Sequence, residues 1–178
     1  KEFGDSNFRM GQSKYLVIEA CEYDSSFNNY FPKIIVVTNV DKEHLDYFKT
    51  FANVKKAFKE FAKKVPKDGL LVTEKNLPMK DAKKLNLQVP GQHNITNALA
   101  ALSVARFLGV KDEITFEALA KFTGTWRRFE ITKTEPYTVI SDYGHHPNEV
   151  LVTLKSAREK YPDKKIWVIF QPHQYQRT

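Results

Sequence analysis

Residues 124–149 read GTWRRFEITKTEPYTVISDYGHHPNE and contain two strand-like runs, a polar turn and the start of a helix. Arg127 and Arg128 stand before the first run, and Asp142 follows the second. Open α/β sheets bind ligands at the carboxyl ends of their strands, where this turn would lie. Arginine suits phosphates, and an acid at a strand end suits a ribose hydroxyl pair. The stretch predicts a nucleotide-binding sheet edge; the alternative is a surface turn with solvated arginines and a capped helix.

The bulk composition is that of a globular chain with an excess of positive charge. Its 178 residues are 42% hydrophobic, enough for one domain or two small or incomplete ones. A net charge of +7 fits an anionic partner, either nucleic acid or a phosphorylated small molecule. Cys21 is the only cysteine, which excludes an intramolecular disulfide and suits a reducing compartment. No apolar run approaches the ~20 residues of a membrane helix. No signal peptide is visible, but a chain that opens without methionine can be a piece of a longer protein.

Upstream of residue 124, the apolar pattern alternates between strands and helices. Short apolar runs bounded by polar residues predict strands at residues 15–20, 34–38, 70–73 and 85–89. Apolar side chains at helical spacing predict helices at residues 45–65, 93–108 and 112–122. We expect Asn53 to interrupt the first of these helices, and Ile114 and Leu119 to enter the core from the last.

The pattern changes at residues 122–126, which we interpret as a domain boundary. Beyond it, two strands, a helix and a third strand are predicted in turn, at residues 129–134, 137–141, 148–161 and 165–170. This order predicts the beginning of a βαβ unit, so the fold class is α/β. One such unit is too small for an independent sheet, and the second domain is therefore expected to be partial.

Glu19 stands at the carboxyl end of one predicted buried strand, and His44 lies just past another. Because parallel strands end at the same edge of a sheet, both side chains are expected there. A carboxylate and an imidazole can hold divalent metals beside phosphates, although magnesium prefers oxygen ligands. The alternative for His44 is a histidine that merely starts a helix.

The long predicted helix after Gly91 begins with His93, Asn94 and Asn97. Helix N-termini carry free N–H groups and the positive end of the dipole. The two asparagines are three residues apart, so their amides lie on one side of the first turn. An amide can both donate to and accept from an adenine edge, whereas capping is the ordinary role of an asparagine at this position.

His145 and His146 precede a proline at the start of another predicted helix. They are candidates for a general base, for substrate contacts or for polar residues that start the helix. With one cysteine, no Cys/His metal spacing exists. No GxxxxGK[ST] phosphate loop occurs in the chain, which leaves a gap in any argument for ATP binding.

A lysine-rich face accounts for much of the positive charge. Its members lie along the second half of the helix at 45–65 and just beyond: Lys55, Lys56, Lys59, Lys63, Lys64 and Lys67. A basic helix can bind nucleic acid. This one has no arginine, and its phenylalanines have core spacing, so we interpret it as a solvated face.

Six segments, taken in order, resemble those of the Mur ligases, ATP-dependent amide-forming enzymes of peptidoglycan precursor synthesis. They lie at residues 19–27, 38–48, 91–101, 124–130, 141–149 and 170–178. Each segment alone is weak, but DYGHHP followed by FQPH-x-Y-x-RT is specific. The last two segments most resemble the members that join L-alanine to UDP-N-acetylmuramate, and the YLVIEACEYD segment also resembles a member that attaches a recycled tripeptide to the same sugar nucleotide.

The resemblance implies a three-domain cytoplasmic enzyme, of which this chain holds two partial domains. Residues 1–123 would be the later part of a parallel-sheet, ATPase-type central domain, whose phosphate loop lies upstream. Residues 124–178 would begin a Rossmann-like C-terminal domain. ATP and Mg²⁺ would be the cofactors, and UDP-N-acetylmuramate and L-alanine the substrates, with no nucleic acid or membrane partner and no indication of the oligomeric state.

The resemblance also implies a role for each candidate residue that binds metal or nucleotide. Glu19 would bind one magnesium beside the triphosphate, and His44 would help to hold a second. The nucleotide contacts would be made by Asn94 and Asn97 at the adenine, Arg128 at the phosphates and Asp142 at the ribose.

Tyr143, His145 and Arg177 would face the amino acid and the reacting carboxylate, with His145 and Arg177 as the catalytic pair. One residue departs from the pattern, because Gln174 stands where some members have arginine. The loss of one charge-assisted bond leaves the amino acid open. The alternatives are therefore the tripeptide-recycling ligase and a non-catalytic relative that only binds nucleotide.

Overall fold

A computed structural model describes residues 8–172, and the elements below are those of this range. Arg177 and Gln174 lie outside it. The strands and α-helices are, in order, β1 Ile34–Val36, α1 Leu45–Phe48, α2 Phe51–Ala62, β2 Leu70–Val72, α3 Gln92–Phe107, α4 Asp112–Lys121, β3 Glu130–Thr134, β4 Tyr137–Ser141 and α5 Pro147–Lys160. Shorter 3₁₀ helices cover Tyr23–Asn29, Glu74–Asn76 and Met79–Lys84. None of the described helices is both long enough and apolar enough to cross a membrane.

β1 and β2 form a parallel pair that confirms two of the predicted strands. Ile34 lies opposite Leu70, and the backbone N–H of Val37 extends the ladder by donating to the Val72 carbonyl. One residue of each strand is buried, Ile35 in β1 and Val72 in β2, and an apolar cluster includes Ile35. Its buried members are Phe27, Ile35, Phe48, Val54, Ala57 and Phe61.

The helix predicted over residues 45–65 is two helices, because the chain turns sharply at Lys49. Lys49 has a φ of 66°, and the hydroxyl of Thr50 then caps α2 by accepting from the Asn53 N–H. The Asn53 side chain donates back to the Phe48 carbonyl at 2.7 Å. Asn53 therefore joins the two helices, and the interruption comes before it rather than at it.

α3 confirms the helix predicted over residues 93–108, one residue earlier at each end. Leu99 and Leu102 are fully buried on its inner face. Near its end, Arg106 binds Asp112 through Nε and Nη2, at 2.8 and 2.6 Å. The same guanidinium lies 2.9 Å from the buried Asp81, so one arginine connects α3, α4 and the preceding 3₁₀ helix.

The strands predicted at 15–20 and 85–89 do not form, and one core assignment is wrong. Residues 15–20 have no regular structure, and Val17 is 92% exposed, because β1 and β2 pair only with each other among the described strands. Residues 85–89 have no strand either, and the side-chain amide of Gln88 donates to the Ala120 carbonyl. In α4, Ile114 is exposed and Thr115 is buried in its place, while Leu119 is half-buried.

β3 and β4 form an antiparallel hairpin, with Ile131 opposite Ile140. α5 follows after a polar turn, as predicted. The strand predicted at 165–170 does not form, and Trp167 is 80% exposed. A parallel strand needs the ladder of a neighbour, and no described strand pairs with β3 or β4 from outside the hairpin. The βαβ unit is therefore incomplete, although the mixture of helices with parallel and antiparallel strands agrees with the α/β class.

Candidate functional site

An acid–histidine group lies beyond the carboxyl end of β1. His44 starts α1 in the left-handed region, with a φ of 53°. Its Nε2 lies 3.1 Å from an Oε1 of Glu22, and one ligand atom each from Glu22, Glu43 and His44 lie within 4.8 Å of one another. The ring of Tyr23 packs against the His44 ring, with centroids 5.0 Å apart. All three ligand side chains are partly buried, so their geometry is restrained.

This group fits a divalent cation, because two carboxylates and an imidazole supply hard oxygen donors and one nitrogen donor. Glu19, the acid predicted to act here, is exposed and lies outside the group. The structure instead brings Glu22 to His44. Glu19 and Glu22 both occur in the EACE segment, three residues apart. The sequence favoured Glu19 as the metal ligand because it stands at the end of an expected strand. With no strand there, the 3₁₀ helix that begins at Tyr23 sets the direction of Glu22.

A shallow surface depression lies at the carboxyl ends of β1 and β2. Thr38 and Thr73 line one side of it, and Asn97 of α3 lines the other. The Asn97 side chain is exposed, whereas the half-buried Asn94 amide donates to the Pro90 carbonyl at 2.7 Å. The two asparagines therefore differ: Asn97 faces the depression, and Asn94 secures the turn before α3.

Asp142 organises the turn that follows β4. One of its carboxylate oxygens accepts from the Phe129 N–H at 2.8 Å, and the other accepts from the Gly144 N–H at 2.7 Å. Phe129 and Arg127 both have positive φ, of 48° and 53°. The Asp142 carboxylate thus stabilises a backbone conformation that L-residues rarely adopt. Carboxylate oxygens have further lone pairs, which leaves this acid able to accept from hydroxyls as well.

Glu149 fixes the backbone of the two histidines. Its Oε2 accepts from the N–H groups of His145 and His146, at 3.0 and 3.2 Å, and its Oε1 lies 3.5 Å from Nη1 of Arg128. Burial raises the pKa of Glu149, but the two backbone hydrogen bonds and the Arg128 charge together lower it below its ordinary value. The Glu149 carboxylate is therefore charged at neutral pH, and it links Arg128, the candidate phosphate-binding residue, to the histidine turn.

The imidazole of His145 is mostly buried and held on two sides. Its Nδ1 lies 3.2 Å from the Tyr143 carbonyl oxygen and 3.8 Å from Oε2 of Glu149. The ring of Tyr143 meets it edge to face, with centroids 5.5 Å apart. The Arg127 guanidinium packs against the same tyrosine and lies 5.0 Å from the centroid of the Tyr143 ring. Sequence reasoning gave Arg127 no separate role.

The histidine turn contacts the loop after β1. The Asn148 amide donates to Oδ2 of Asp41, and Nδ1 of His146 lies 3.8 Å from the same oxygen. The Asn148 hydrogen bond, followed by that from the Lys42 N–H, lowers the pKa of Asp41. Burial lowers the pKa of His93 at the start of α3, while Asp142 and Glu159 oppose that shift. The histidine turn and α5 thus lie close to both the β1 loop and the start of α3.

The structure brings Arg128 close to the turn that contains Asp142, Tyr143 and His145, and it connects that turn with the loop that carries His44. Asn97 lies at the same end of the parallel pair as that loop. Arg177 lies outside the described residues and stays a prediction. Which ligand each of these residues binds stays a prediction, and Glu19 lies outside the acid–histidine group.

Two family models match the chain. The model described as "Mur ligase middle domain" matches residues 5–84, and the one described as "Mur ligase, glutamate ligase domain" matches residues 127–177. Together they cover most of the chain, in the order that the six sequence segments predict. The chain belongs to the Mur ligase family.

Curated relatives give a narrower comparison. The chain is 41% identical to the UDP-N-acetylmuramate–L-alanine ligase of Caldanaerobacter subterraneus over 97% of its own length, and 38% identical to that of Clostridium botulinum strain Hall over 98%. It covers 47% of each, so the chain spans about half the length of the curated relatives it matches. The first match aligns 217 positions against a chain of 178, so that relative has at least 39 residues (217 less 178) inside the matched region without a counterpart here.

Solved structures agree on the fold. MurF of Acinetobacter baumannii superposes with a TM-score of 0.58 at 18% identity, over 79% of this chain and 39% of the other. A murein peptide ligase of Psychrobacter arcticus gives 0.57 at 21% identity, over 84% of this chain and 39% of the other. At these low identities the comparison shows the fold alone, and it confirms the α/β class expected from the sequence.

Proposed function

We propose that this chain is part of an ATP-dependent ligase that joins L-alanine to the lactyl carboxylate of UDP-N-acetylmuramate in peptidoglycan precursor synthesis. The observation that carries the proposal is the 41% identity, over nearly the whole chain, to a protein of that name. The clustering of an acid–histidine group and a histidine turn at one edge supports it. We place the reaction in the cytoplasm, as the resemblance to the Mur ligases implies.

The proposed division is a central ATP-binding domain over residues 1–123 and the start of a C-terminal domain over residues 124–178. The two family-model matches lie on either side of this boundary, which supports it. The boundary follows α4 and precedes the left-handed Arg127. Under this division, the acid–histidine group belongs to the first domain and the histidine turn to the second.

Glu22, Glu43 and His44 would hold Mg²⁺, and their donor set fits it. Glu19, which the resemblance implies as a ligand, lies outside this group. Bound Mg²⁺ would neutralise charge on the ATP phosphates. The Arg128 guanidinium would bind the same phosphates, since its fork suits them and its present partner Glu149 is 3.5 Å away. Asp142 would accept from the ribose hydroxyls, and Asn97, rather than Asn94, would face the adenine.

The chemistry would pass through an acyl phosphate. The lactyl carboxylate attacks the γ-phosphorus of ATP, and ADP leaves; the amine of L-alanine then attacks the acyl carbon, and inorganic phosphate leaves. The attacking amine must be neutral, so a base has to take its proton. His145 suits this role because the Tyr143 carbonyl and Glu149 orient its ring. Tyr143 and Arg177 would orient the amino acid and the reacting carboxylate.

The test is phosphate release from ATP by the product of the complete gene, with UDP-N-acetylmuramate and one amine at a time. L-Alanine, glycine, L-serine and the tripeptide L-Ala-γ-D-Glu-meso-diaminopimelate are compared. Release that requires both the sugar nucleotide and L-alanine is the expected result. Preference for the tripeptide would reassign the chain to the recycling ligase. For the base, His145→Ala is expected to lower kcat and to flatten its dependence on pH; an unchanged rate and pH profile would exclude that role.

The second candidate is a non-catalytic relative. It is favoured because this chain has fewer residues in the matched region than the curated relative has. A relative with at least 39 further residues inside that region has room for an element that this chain lacks. Such a protein would bind ATP without releasing phosphate in the presence of any amine. Calorimetric ATP binding by a protein without phosphate release would establish this candidate and exclude the ligase.

A further inference from the structure

The N-terminus of α5 is joined to the loop after β1 by a polar bridge that spans 107 residues of sequence. The Asn148 amide donates to Oδ2 of Asp41, and Nδ1 of His146 lies 3.8 Å from the same oxygen. The other oxygen of Asp41 accepts from the Lys42 N–H at 2.7 Å, which holds the carboxylate in place. The side chains of Asp41 and His146 are 28% and 16% exposed, so the bridge is partly shielded from water.

α5 meets the rest of the chain at a second point, two turns further along. Ser156 is 1% exposed, and its hydroxyl lies where a Cβ on Gly91 would have to be. The helix is therefore seated at both ends: on the β1 loop through Asp41 and Asn148, and on the turn before α3 through Ser156 and Gly91. Ser156 packs closely against Gly91, whereas the hydrogen bond at Asp41 is polar and orients the N-terminus of α5.

The bridge lies between the two groups that the reaction would bring together. Asp41 stands three residues before His44, and His146 directly follows His145. A shift of the α5 N-terminus relative to the β1 loop would thus change the separation of His44 and His145. A misplacement of about 1 Å in a reacting geometry can cost on the order of 100-fold in rate.

We propose that Asp41 is a positioning residue, whose hydrogen bond to Asn148 sets the distance between the His44 loop and the His145 turn. The inference rests on the ligase function proposed above. A hydrogen bond that only stabilises the surface would leave the reaction rate nearly unchanged, whereas a positioning hydrogen bond would change it.

A charge exchange across the bridge tests the role. In Asn148→Asp, two carboxylates oppose each other, whereas an acid in the first turn of a helix is otherwise favourable. Asp41→Asn still accepts from Asn148. In the double variant, the amide at 41 donates to the carboxylate at 148, so the bond is restored in reverse. We expect kcat to fall on the order of tenfold in Asn148→Asp and to recover to within about threefold in the double variant, with KM for ATP unchanged.

Crosslinking measures the contact without relying on activity. Asp41→Cys with Asn148→Cys, in a Cys21→Ser background, is expected to form a disulfide under mild oxidation. Asp41→Cys with Lys155→Cys is the matched control, because the exposed Lys155 lies nearly two turns further along α5. Selective crosslinking of the first pair supports the bridge. Equal crosslinking of both pairs, or none of the first, would overturn it.

The outcomes separate this inference from the proposed function. A protein that crosslinks selectively but releases no phosphate with any substrate pair would refute the ligase function, and the positioning role with it. An active protein in which the double variant is no faster than Asn148→Asp would refute the role of Asp41 alone. Loss of rate with a changed KM for ATP would also count against positioning.

Discussion

Replacing Glu149 by alanine removes the acceptor that holds the histidine turn. Its Oε2 accepts two backbone N–H groups, from His145 and His146, and its Oε1 lies near Arg128. A hydrogen bond to a charged group contributes about 1.5–3 kcal/mol when it is well shielded. The Glu149 side chain is 34% exposed, so we take the lower end, about 1.5 kcal/mol for each of the two hydrogen bonds, and discount the sum for water that replaces the lost bonds. The expected loss in free energy of unfolding is about 2 kcal/mol, the upper range for a helix cap.

Glu149→Gln is the matched control, because its amide oxygen still accepts from both backbone N–H groups. We expect it to lose less than about 1 kcal/mol, the part that depends on charge. Urea unfolding of the product of the complete gene, followed by far-ultraviolet circular dichroism, gives both values. Equal losses in the alanine and glutamine variants would refute the reasoning, since they would mean that the two N–H bonds contribute nothing.

The same residue predicts a dependence on pH. The pKa of Glu149 is lowered in the fold, because the hydrogen bonds and the Arg128 charge outweigh burial. Its contribution is therefore fully present above the ordinary glutamate pKa of about 4.3 and is lost as pH falls through the lower folded pKa. The alanine variant should lose less stability than the wild type over that fall. A parallel decline of the two curves would contradict the assignment.

Three further predictions concern the metal group and the start of α3. In a magnesium titration, Glu22→Gln should raise the magnesium concentration for half-maximal phosphate release on the order of tenfold, and Glu19→Gln should raise it by less than about twofold. A larger effect of Glu19→Gln than of Glu22→Gln would show that Glu19, the residue expected from the sequence, is the ligand. Gly91→Ala should destabilise by about 1–3 kcal/mol in urea, because Gly91 has a φ of 98° and its added Cβ would meet Ser156. The pKa of His93 is lowered mainly by burial, so stability should fall as pH drops through the ordinary histidine value of about 6.5. His93→Gln should flatten that fall in thermal melts between pH 7.5 and 5.5, and an unaltered slope would show that another group titrates.

Local patterns were sufficient for the helices that carry their own periodicity. α3 follows the prediction to within a residue, because Leu99 and Leu102 repeat at helical spacing and Gly109, with a φ of 78°, follows its end. The start of α5 was also predicted, because polar residues and a proline precede its periodic apolar residues; the capping box of His146 and Glu149 is seen only in the structure. Such signals depend on residues three or four apart and need no partner elsewhere.

Strands were predicted less well, for a physical reason. The run at 15–20 has the composition of a buried strand but no regular structure in the fold, and 165–170 behaves in the same way. A strand satisfies its backbone through a neighbour, and composition does not say whether that neighbour is present. Ile114 was misplaced for a related reason, since the packing of α4 on α3 selects Thr115 for the interior.

The sequence by itself determined which residue types meet at the site and in what order, because acids, amides, arginines and histidines at those positions follow from local motifs. Tertiary structure alone decided which of two acids, Glu19 or Glu22, reaches His44, and which of two asparagines faces the depression. It alone joined Asp41 to Asn148. Contacts between residues far apart in sequence depend on how elements pack, and no pattern of spacing within one segment contains that information.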